Sequence, residues 1–222
     1  MMRLYSGPLS IFTAKVRIAL GEKGLTYDRI DVPFSRQKGY APKHPEVVAR
    51  NPKGQVPVLV DGDFSLYDST LITEYLEDRY PEPALYPRDP VAKARCRQLE
   101  LAADEIFFPP VLELIREVYY KSDATARDTV KIATATAAIR SVYAELDARL
   151  DTGGYLDGEF SVADVAYFVT TMFATNLGLA PDAAQANVHS WLRRVSERRA
   201  VAAEIDYIVT AAQQIAAAAP PS

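Results

Sequence analysis

The sequence is poor in the residues that build redox and metal sites. It holds one cysteine, Cys96, and two histidines, His44 and His189, which stand far apart among 222 residues. A single cysteine excludes an intramolecular disulfide framework and a Cys-x-x-Cys redox pair. The two separated histidines do not form a metal-ligand cluster. We therefore expect neither a metal site nor a redox-active cysteine.

A strong charge of one sign and long apolar runs are also missing. The formal net charge is only -4 at pH 7, which argues against a broad surface for nucleic acid. No apolar run approaches the roughly 18–20 residues of a membrane span, and the N-terminus shows no secretory signal pattern. The hydrophobic content of 49% is ordinary for a globular protein. A cytoplasmic enzyme or binding protein, with no nucleic-acid or membrane partner, fits these properties best.

The first part of the chain mixes strand and helix patterns. Their order, β-α-β-α-β-β-α, predicts a mixed four-stranded sheet covered by helices over residues 1–80. The Asp61-Gly62 pair is a strong signal for the hairpin between the last two strands. The predicted strands are 3–5, 25–32, 58–60 and 64–67, and the predicted helices are 11–23, 45–50 and 69–80.

Prolines separate this part from a helical remainder. Four prolines among the eleven residues 80–90 exclude regular structure there, so we expect a linker over 81–90. Beyond it the sequence shows only helical patterns, which predict an all-helical bundle domain over 91–222. The predicted helices are 91–120, with a bend near Pro109 and Pro110, 128–150, 161–175, 188–198 and 201–217.

The segment 55–69 combines a proline, a carboxylate and a helix start. Pro57 enters the first strand of the hairpin, and Asp68 and Ser69 end the second strand and open the next helix. Backbone beside a proline, a carboxylate and a helix N-terminus together suit a small peptide-like ligand that carries both an amine and a carboxylate. This combination indicates glutathione.

Five motifs stand in order along the chain, namely Ser10 before the run 15–20, the segment 51–57, Asp68-Ser69, the hinge 85–87 and the segment 160–164. Together they resemble the motifs of the cytosolic glutathione transferase family. The resemblance covers essentially the whole sequence and implies a thioredoxin-like N-terminal domain, an all-helical C-terminal domain and a homodimer. The spacing around Ser10 is most similar to that of the serine-using classes, such as phi, theta and zeta.

The resemblance implies that Ser10 activates glutathione by donating a hydrogen bond to its thiolate. From the residues alone, Ser10 is a helix N-cap. Some classes of the family use a tyrosine near the end of the first strand, so Tyr5 is the rival hydroxyl, although its ordinary role would be that of a core aromatic. Ser161 and Asp164 resemble a catalytic pair but match a variant of the capping box, which is a structural element.

The resemblance also implies a set of ligand contacts. The Val56–Pro57 bond is expected to be cis, so that the Val56 backbone pairs with the cysteinyl part of glutathione. Asp68 and Ser69 are expected to hold the γ-glutamyl end. The predicted glutathione-binding residues are Lys43, Gln55, Val56, Pro57, Asp68 and Ser69. The predicted hydrophobic-substrate residues are Phe12, Phe108 and Val111, for which a place in the bundle core is the alternative.

The expected function is therefore that of a glutathione transferase in detoxification, which conjugates the glutathione thiolate to hydrophobic electrophiles. Glutathione is the expected cosubstrate, and no metal is expected. Two alternatives stay open. One is another glutathione-dependent enzyme, namely an isomerase, reductase, dehalogenase or peroxidase. The other is a non-enzymatic carrier of glutathione or of another ligand.

Overall fold

The computed structural model describes residues 1–150 and 154–218. Contacts within the chain divide it into two units, one of which is Leu85–Glu197. The other unit combines Met1–Ala84 with the segment from Arg198 onward. The boundary falls inside the proline-rich segment 81–90. The grouping differs from the predicted helical domain 91–222, because the C-terminal helix belongs with the first unit.

The first unit is built on a mixed four-stranded sheet in the order β2-β1-β3-β4. Strand β1 runs parallel to β2 and antiparallel to β3, and β3 and β4 form the predicted hairpin. This arrangement confirms the thioredoxin-like prediction. The elements are β1 Met2–Ser6, α1 Ile11–Glu22, β2 Asp28–Asp31, α2 Pro45–Arg50, β3 Val58–Asp61, β4 Phe64–Tyr67, α3 Ser69–Arg79 and α9 Arg199–Ala217.

The two faces of the sheet pack on different helices. On one face Tyr5, Val58 and Val60 form a buried cluster with Val47 of α2. On the other face the ring of Phe64 lies 5.4 Å from that of Tyr75 in α3. Helix α1 packs against both α3 and α9. It is therefore buried along most of its length, including its basic side chains.

Strand β2 is shorter than the predicted strand 25–32. It pairs only with β1, from Arg3 opposite Asp28 to Ser6 opposite Asp31. The amide of Val32 still donates to the Ser6 carbonyl at 2.8 Å, and β1 ends there. The apolar alternation over 25–32 is longer than the stretch of β2 that pairs with β1. The sequence pattern therefore overestimates the length of β2.

The second unit is all-helical, as predicted. The predicted helix 91–120 is one helical stretch interrupted by two π-helical segments, and the first of these lies just before Pro109 and Pro110. Because proline has no N–H to donate, the regular hydrogen-bond ladder cannot run through this point. The elements are α4 Pro90–Ala102, a π segment Ala103–Phe107, α5 Phe108–Leu114, a π segment Ile115–Tyr119, a 3₁₀ turn Ala124–Ala126, α6 Thr129–Arg149, α7 Val162–Asn176 and α8 Ala186–Ser196.

Aromatic residues fill the core of the second unit. The ring of Phe107 lies 5.7 Å from that of Tyr143 and 5.9 Å from that of Tyr167. Trp191 of α8 lies against Phe168 of α7 with a centroid distance of 6.3 Å. Within residues 1–150 and 154–218, no helix is both long and apolar enough to cross a bilayer.

Candidate functional site

The predicted ligand segments meet at one end of the sheet. Here Tyr5 of β1 lies opposite Val58 of β3, and Val58 lies opposite Tyr67 of β4. Pro57 directly precedes this row and Asp68 directly follows it. The loop that connects β1 to α1 leaves the sheet at the same end. Three stretches of chain that are distant in sequence are therefore brought together by strand register.

Ser10 is the N-cap of α1. Its backbone is extended, with φ -104° and ψ 117°, and its Oγ accepts a hydrogen bond from the Thr13 amide at 3.2 Å. The side chain is largely buried, since Ser10 is 9% exposed. A hydroxyl that accepts one bond keeps its own hydrogen for donation. Capping of the helix and donation to a ligand are therefore compatible at this residue.

The loop of residues 7–10, named here the Ser10 loop, is held closely by its neighbours. The Gly7 amide donates to Thr13 Oγ1 at 3.3 Å, and the Leu9 amide donates to Tyr40 Oη at 3.1 Å. A Cβ atom on Gly7 would lie 2.8 Å from Tyr40 Oη and 2.9 Å from Ser10 Cβ. Only glycine fits such a close approach. No sequence pattern indicated Tyr40, because it lies in a loop without hydrophobic periodicity.

Arg17 is a second residue that the sequence analysis did not assign to the site. Its Nη1 donates to Ser6 Oγ at 2.6 Å and to the Gly7 carbonyl at 3.1 Å. Its Nε and Nη2 bind the two carboxylate oxygens of Glu204 in α9, at 2.8 and 2.6 Å. Burial lowers the pKa of Arg17, but the hydrogen bond and charge of Glu204 raise it, and the net pKa lies above its ordinary value. The guanidinium thus stays charged.

The loop before Pro57 is organised by a buried asparagine. Asn51, which is 3% exposed, donates through Nδ2 to the Gln55 carbonyl at 2.7 Å. The Val56–Pro57 bond is cis, as predicted. The side chains of Gln55 and Lys43 are exposed, which leaves both available to a ligand.

Asp68 caps α3 in a strained conformation. Its φ is 79° and its ψ is 125°, and its Oδ1 accepts from the Thr70 amide at 3.1 Å. Within residues 1–150 and 154–218, it is the only residue other than glycine with a positive φ. Such a conformation costs about 1–3 kcal/mol, and such residues cluster at ligand-binding and active sites. Ser69, the first residue of α3, is 3% exposed.

The remaining predicted residues differ in accessibility. Tyr5 is 2% exposed and its ring lies 5.1 Å from that of His44, so it has the surroundings of a core aromatic. Phe12 and Phe108 are half-buried. Val111 is fully buried among the helices of the second unit. A side chain without accessible surface does not line an open pocket, and the core alternative describes Val111 better.

Cys96 is the single cysteine of the sequence. Cys96 is buried and forms no disulfide, and burial raises the pKa of its thiol. In the part of the chain that the structure describes, no group of three or more histidine, cysteine, aspartate or glutamate side chains is arranged to hold a metal ion.

Comparison with known proteins identifies the family. The N-terminal domain model of glutathione S-transferases matches residues 4–84, and the C-terminal domain model matches residues 101–194. The chain is 31% identical to glutathione S-transferase 4 of Zea mays over 170 residues, which cover 75% of this chain and 74% of that one. The chain belongs to the glutathione S-transferase family.

Solved structures of the family agree in fold. A glutathione S-transferase from Rhodospirillum rubrum is 29% identical, with a TM-score of 0.80 and 90% of both chains covered. A glutathione S-transferase from Methylobacterium radiotolerans, solved in complex with glutathione sulfonate, is 27% identical. Its TM-score is 0.76, and the match covers 91% of this chain and 93% of that one.

Other family members are similar over shorter stretches. A stringent starvation protein A homolog of Coxiella burnetii is 39% identical over 130 residues, which are 58% of either chain. Maleylacetoacetate isomerase of Pseudomonas aeruginosa is 45% identical over 97 residues, or 43% of this chain and 45% of that one. The chain spans only about half the length of these relatives. Membership of the family therefore does not by itself identify the reaction.

Proposed function

We propose that this glutathione S-transferase binds glutathione as a thiolate and conjugates it to hydrophobic electrophiles. The observation that carries the proposal is the place of Ser10. Its hydroxyl lies at the N-terminus of α1, at the end of the sheet where Pro57 and Asp68 also lie. In this proposal Ser10 donates a hydrogen bond to the sulfur and is not itself a nucleophile.

The energies available at such a position are sufficient. A free thiol has a pKa of about 8.5, and lowering it to about 6.5 requires about 2.7 kcal/mol of preference for the anion. A hydroxyl that donates to a charged acceptor supplies about 1.5–3 kcal/mol. The helix N-terminus adds about 0.3–2 kcal/mol. The two contributions together stabilise the thiolate without a general base.

The rest of glutathione is assigned to the loops at this end of the sheet. The backbone of Val56 would pair with the cysteinyl residue, in the manner of an added strand. The Asp68 carboxylate would attract the γ-glutamyl ammonium. The Ser69 hydroxyl and the first amides of α3 would bind the adjacent carboxylate. Gln55 and Lys43 have exposed side chains and would contact the remainder of the ligand, beside the turn that Pro57 shapes.

In the proposed reaction the thiolate sulfur forms a bond to an electrophilic carbon. The leaving group departs with the electron pair of its bond to that carbon, so one carbon–sulfur bond forms and one carbon–leaving-group bond breaks. Phe12 of the first unit is proposed to contact the electrophile, because it is apolar and only half-buried. Phe108 of the second unit is a separate candidate for the same reason. Large-to-alanine changes at these two positions should raise KM for the electrophile and leave KM for glutathione unchanged.

Isomerisation is a second candidate, favoured by the maleylacetoacetate isomerase relative. The same thiolate would add to an activated double bond, allow rotation about the resulting single bond, and leave again. Because no bond is changed in the net reaction, the thiolate is regenerated. Assays with an activated chloroarene and with a cis-unsaturated diacid distinguish the two reactions: glutathione is consumed only with the first.

Titration of the thiolate absorbance of bound glutathione tests the proposal. We expect the pKa of the bound thiol to lie near about 6.5 in the wild type and to return toward about 8.5 in Ser10→Ala. Ser10→Thr keeps a hydroxyl and is the control for loss of the cap, so it should stay closer to wild type. An unchanged thiol pKa in Ser10→Ala would exclude Ser10 as the donor. Binding without thiolate formation in the wild type would favour the carrier.

We also propose a homodimer that acts in cytoplasmic detoxification. Large apolar side chains are exposed on each unit, namely Phe64 at 50% and Leu71 at 49% on the first, and Leu101 at 56% and Ile106 at 65% on the second. Contact with a second copy of the chain would remove such apolar side chains from water. Sedimentation should give twice the monomer mass, and Phe64→Lys should shift the mass toward that of the monomer.

The proposed role in detoxification and the proposed location have separate tests. A deletion strain should become sensitive to electrophiles, and a tagged protein should stay in the cytoplasm.

A further inference from the structure

We propose that Glu204, on the C-terminal helix α9, is a positioning residue for Ser10 and acts through Arg17. The inference rests on the proposed function, because it concerns the same thiolate site. It assigns to α9 an indirect part in that site, which neither the sequence motifs nor the family match includes. The family models end at residue 194, before α9 begins.

The guanidinium of Arg17 donates hydrogen bonds to two parts of the chain, namely Glu204 in α9 and the end of β1. Its Nε and Nη2 edge faces Glu204, and its Nη1 reaches the end of β1 at Ser6 and Gly7. Both charged side chains are nearly inaccessible, with 3% exposed for Arg17 and 5% for Glu204. A planar guanidinium held by a bidentate carboxylate has little rotational freedom. Glu204 therefore determines where Nη1 points.

One carbonyl oxygen connects this pair to Ser10. The Gly7 carbonyl accepts from Arg17 Nη1 at 3.1 Å and from the Ser10 amide at 3.3 Å. A displacement of Arg17 thus moves an acceptor that Ser10 also uses. Tyr40 leaves no room for movement toward its own side, since even a Cβ on Gly7 would lie 2.8 Å from its hydroxyl oxygen. The Ser10 loop is held between Tyr40 and Arg17.

Other charged and titratable groups surround the pair. The ring of Tyr207 lies 4.6 Å from the guanidinium of Arg17 and 4.1 Å from that of Arg29. The Tyr207 hydroxyl contacts Asp31 Oδ1 at 3.0 Å, and Tyr27 interacts electrostatically with Arg17. Among these groups, Glu204 is the carboxylate that binds Arg17 directly, which makes it the residue to change.

Substitution of Glu204 shows whether Arg17 affects the thiolate by holding the Ser10 loop in place or by its positive charge. Glu204→Gln leaves the charge of Arg17 without its bound carboxylate. If Arg17 acted on the thiolate by its charge, the less neutralised cation would lower the thiol pKa further. If it acts by holding the Ser10 loop, the loosened loop weakens donation from Ser10 and the thiol pKa rises. The two roles predict shifts of opposite sign.

A matched control is present on the same two helices. Glu22 of α1 accepts from Arg198, at the start of α9, with Nε 3.0 Å away. This ion pair also joins the two helices, but it lies at the opposite end of α1 from Ser10. Glu22→Gln should therefore loosen α9 without changing the thiol pKa of bound glutathione.

The experiment is the thiolate titration of bound glutathione, combined with kcat/KM for an activated chloroarene. In Glu204→Gln we expect a higher thiol pKa, a several-fold loss in kcat/KM that stays below the loss in Ser10→Ala, and an unchanged KM for the electrophile. Glu22→Gln should match the wild type. A wild-type thiol pKa in Glu204→Gln, a lower one, or an equal shift in Glu22→Gln would each overturn the proposal.

Two further variants keep the result decisive. Glu204→Asp preserves the charge with a shorter side chain, so it should show the same shift to a smaller extent even if Glu204→Gln does not fold. The double variant of Ser10→Ala with Glu204→Asp should equal Ser10→Ala alone, because Glu204 acts through Ser10. Additive effects would contradict the proposal. A wild-type protein that binds glutathione without forming thiolate would instead contradict the proposed function, so the two failures are distinct.

Discussion

Ser10 in the first unit and Ser161 in the second each stand one position before a helix, but their surroundings differ. Ser161 Oγ donates to Asp164 Oδ2 at 3.3 Å, and the same oxygen accepts from the Ser161 amide at 3.0 Å. The hydroxyl of Ser161 is thus occupied within the protein. Ser10 accepts from the Thr13 amide and retains a hydrogen for a ligand. Hydrogen-bond occupancy, more than residue type, therefore separates a purely structural cap from one that can also donate to a ligand.

Backbone strain differs between the two units in the same way. Asp68, which caps α3 near the proposed ligand, has a φ of 79°. Ser161, which caps α7, has a φ of -145°, which is ordinary extended backbone. Strain is therefore found at a cap of the first unit that is proposed to bind glutathione. The cap of the second unit is relaxed and serves stability.

Replacement of Asp164 should have the largest effect on stability. Its Oδ1 accepts from the Leu156 amide at 3.0 Å and from Trp191 Nε1 at 2.8 Å, and its Oδ2 from the Ser161 amide. Asp164→Ala leaves these buried donors without an acceptor, at about 1–3 kcal/mol each. We expect the free energy of unfolding to fall by about 4 kcal/mol.

Trp191 offers a direct measurement of that loss. It is the only tryptophan in the sequence and it binds Asp164 itself, so its fluorescence during urea unfolding reports on the second unit. Asp164→Asn keeps one acceptor oxygen and should lose a smaller part of the stability. A midpoint equal to that of the wild type in Asp164→Ala would show that the capping network contributes little.

Paired substitution of the two serines tests the comparison most directly. Both Ser10→Ala and Ser161→Ala should lose about 1 kcal/mol of stability from a helix cap. In Ser10→Ala the helix N-terminus remains, and loss of about 1.5–3 kcal/mol from the hydroxyl raises the thiol pKa by about one to two units. The thiolate fraction at neutral pH then falls by about fourfold to about 25-fold, and kcat/KM should fall by the same factor. Ser161→Ala should keep the wild-type thiol pKa. Equal effects of the two changes on catalysis would refute the distinction.

Local patterns explain which parts of this fold were predicted. The helix Pro45–Arg50 and the strand Phe64–Tyr67 have the predicted bounds, because proline, turn residues and caps act on their immediate neighbours. The bonds that hold the Ser10 loop depend on distant partners. Glu204 lies 187 residues from Arg17, and no local pattern connects an isolated charge in one helix with an isolated charge in another.

The candidate site shows the same limit. Ser10, Pro57 and Asp68 are candidates because each belongs to a motif with a fixed spacing. Tyr40 and Arg17 were missed because their roles come from contact with one carbonyl and one amide of the Ser10 loop. The family resemblance implied a place for Val111 in the substrate site, but an apolar residue with helical spacing can equally belong to a helix core. The packing places it in the core.

A change of Asp68 should alter binding more than stability. Asp68→Gly removes the cap and adds chain entropy, but it relieves strain worth about 1–3 kcal/mol, so the free energy of unfolding should stay within about 1 kcal/mol of wild type. Asp68→Ala keeps the strain and should be the less stable of the two. Both should raise KM for glutathione by about tenfold or more, because a charge-assisted bond to the ammonium is lost.

Asp68→Asn is the control for that prediction, since it can cap the helix without carrying charge. Its stability should exceed that of Asp68→Ala, while its KM should resemble that of Asp68→Gly. Urea unfolding and initial rates over a range of glutathione concentrations measure the two quantities. If Asp68→Gly were as destabilised as Asp68→Ala, the positive φ would not be a source of strain.

The smallest effect concerns pH and belongs to the second unit. Glu117 accepts from the Asp128 amide at 2.7 Å and from Lys121 Nζ at 2.6 Å, and these contacts hold its pKa below the ordinary value of 4.5. The folded state therefore releases the proton more readily than the unfolded state. Its stabilising effect is complete above 4.5 and is lost as the pH falls through the lower, folded pKa.

Glu117→Gln should remove this dependence. The variant should be slightly less stable than the wild type at neutral pH, and its stability should decline less steeply below 4.5. Urea midpoints from Trp191 fluorescence at decreasing pH measure the slope in the second unit. The thiol pKa of bound glutathione, which reports on the first unit, should not change. If stability declined equally in both proteins, the acid sensitivity would belong to other carboxylates. A shifted thiol pKa would show that Glu117 influences the glutathione site.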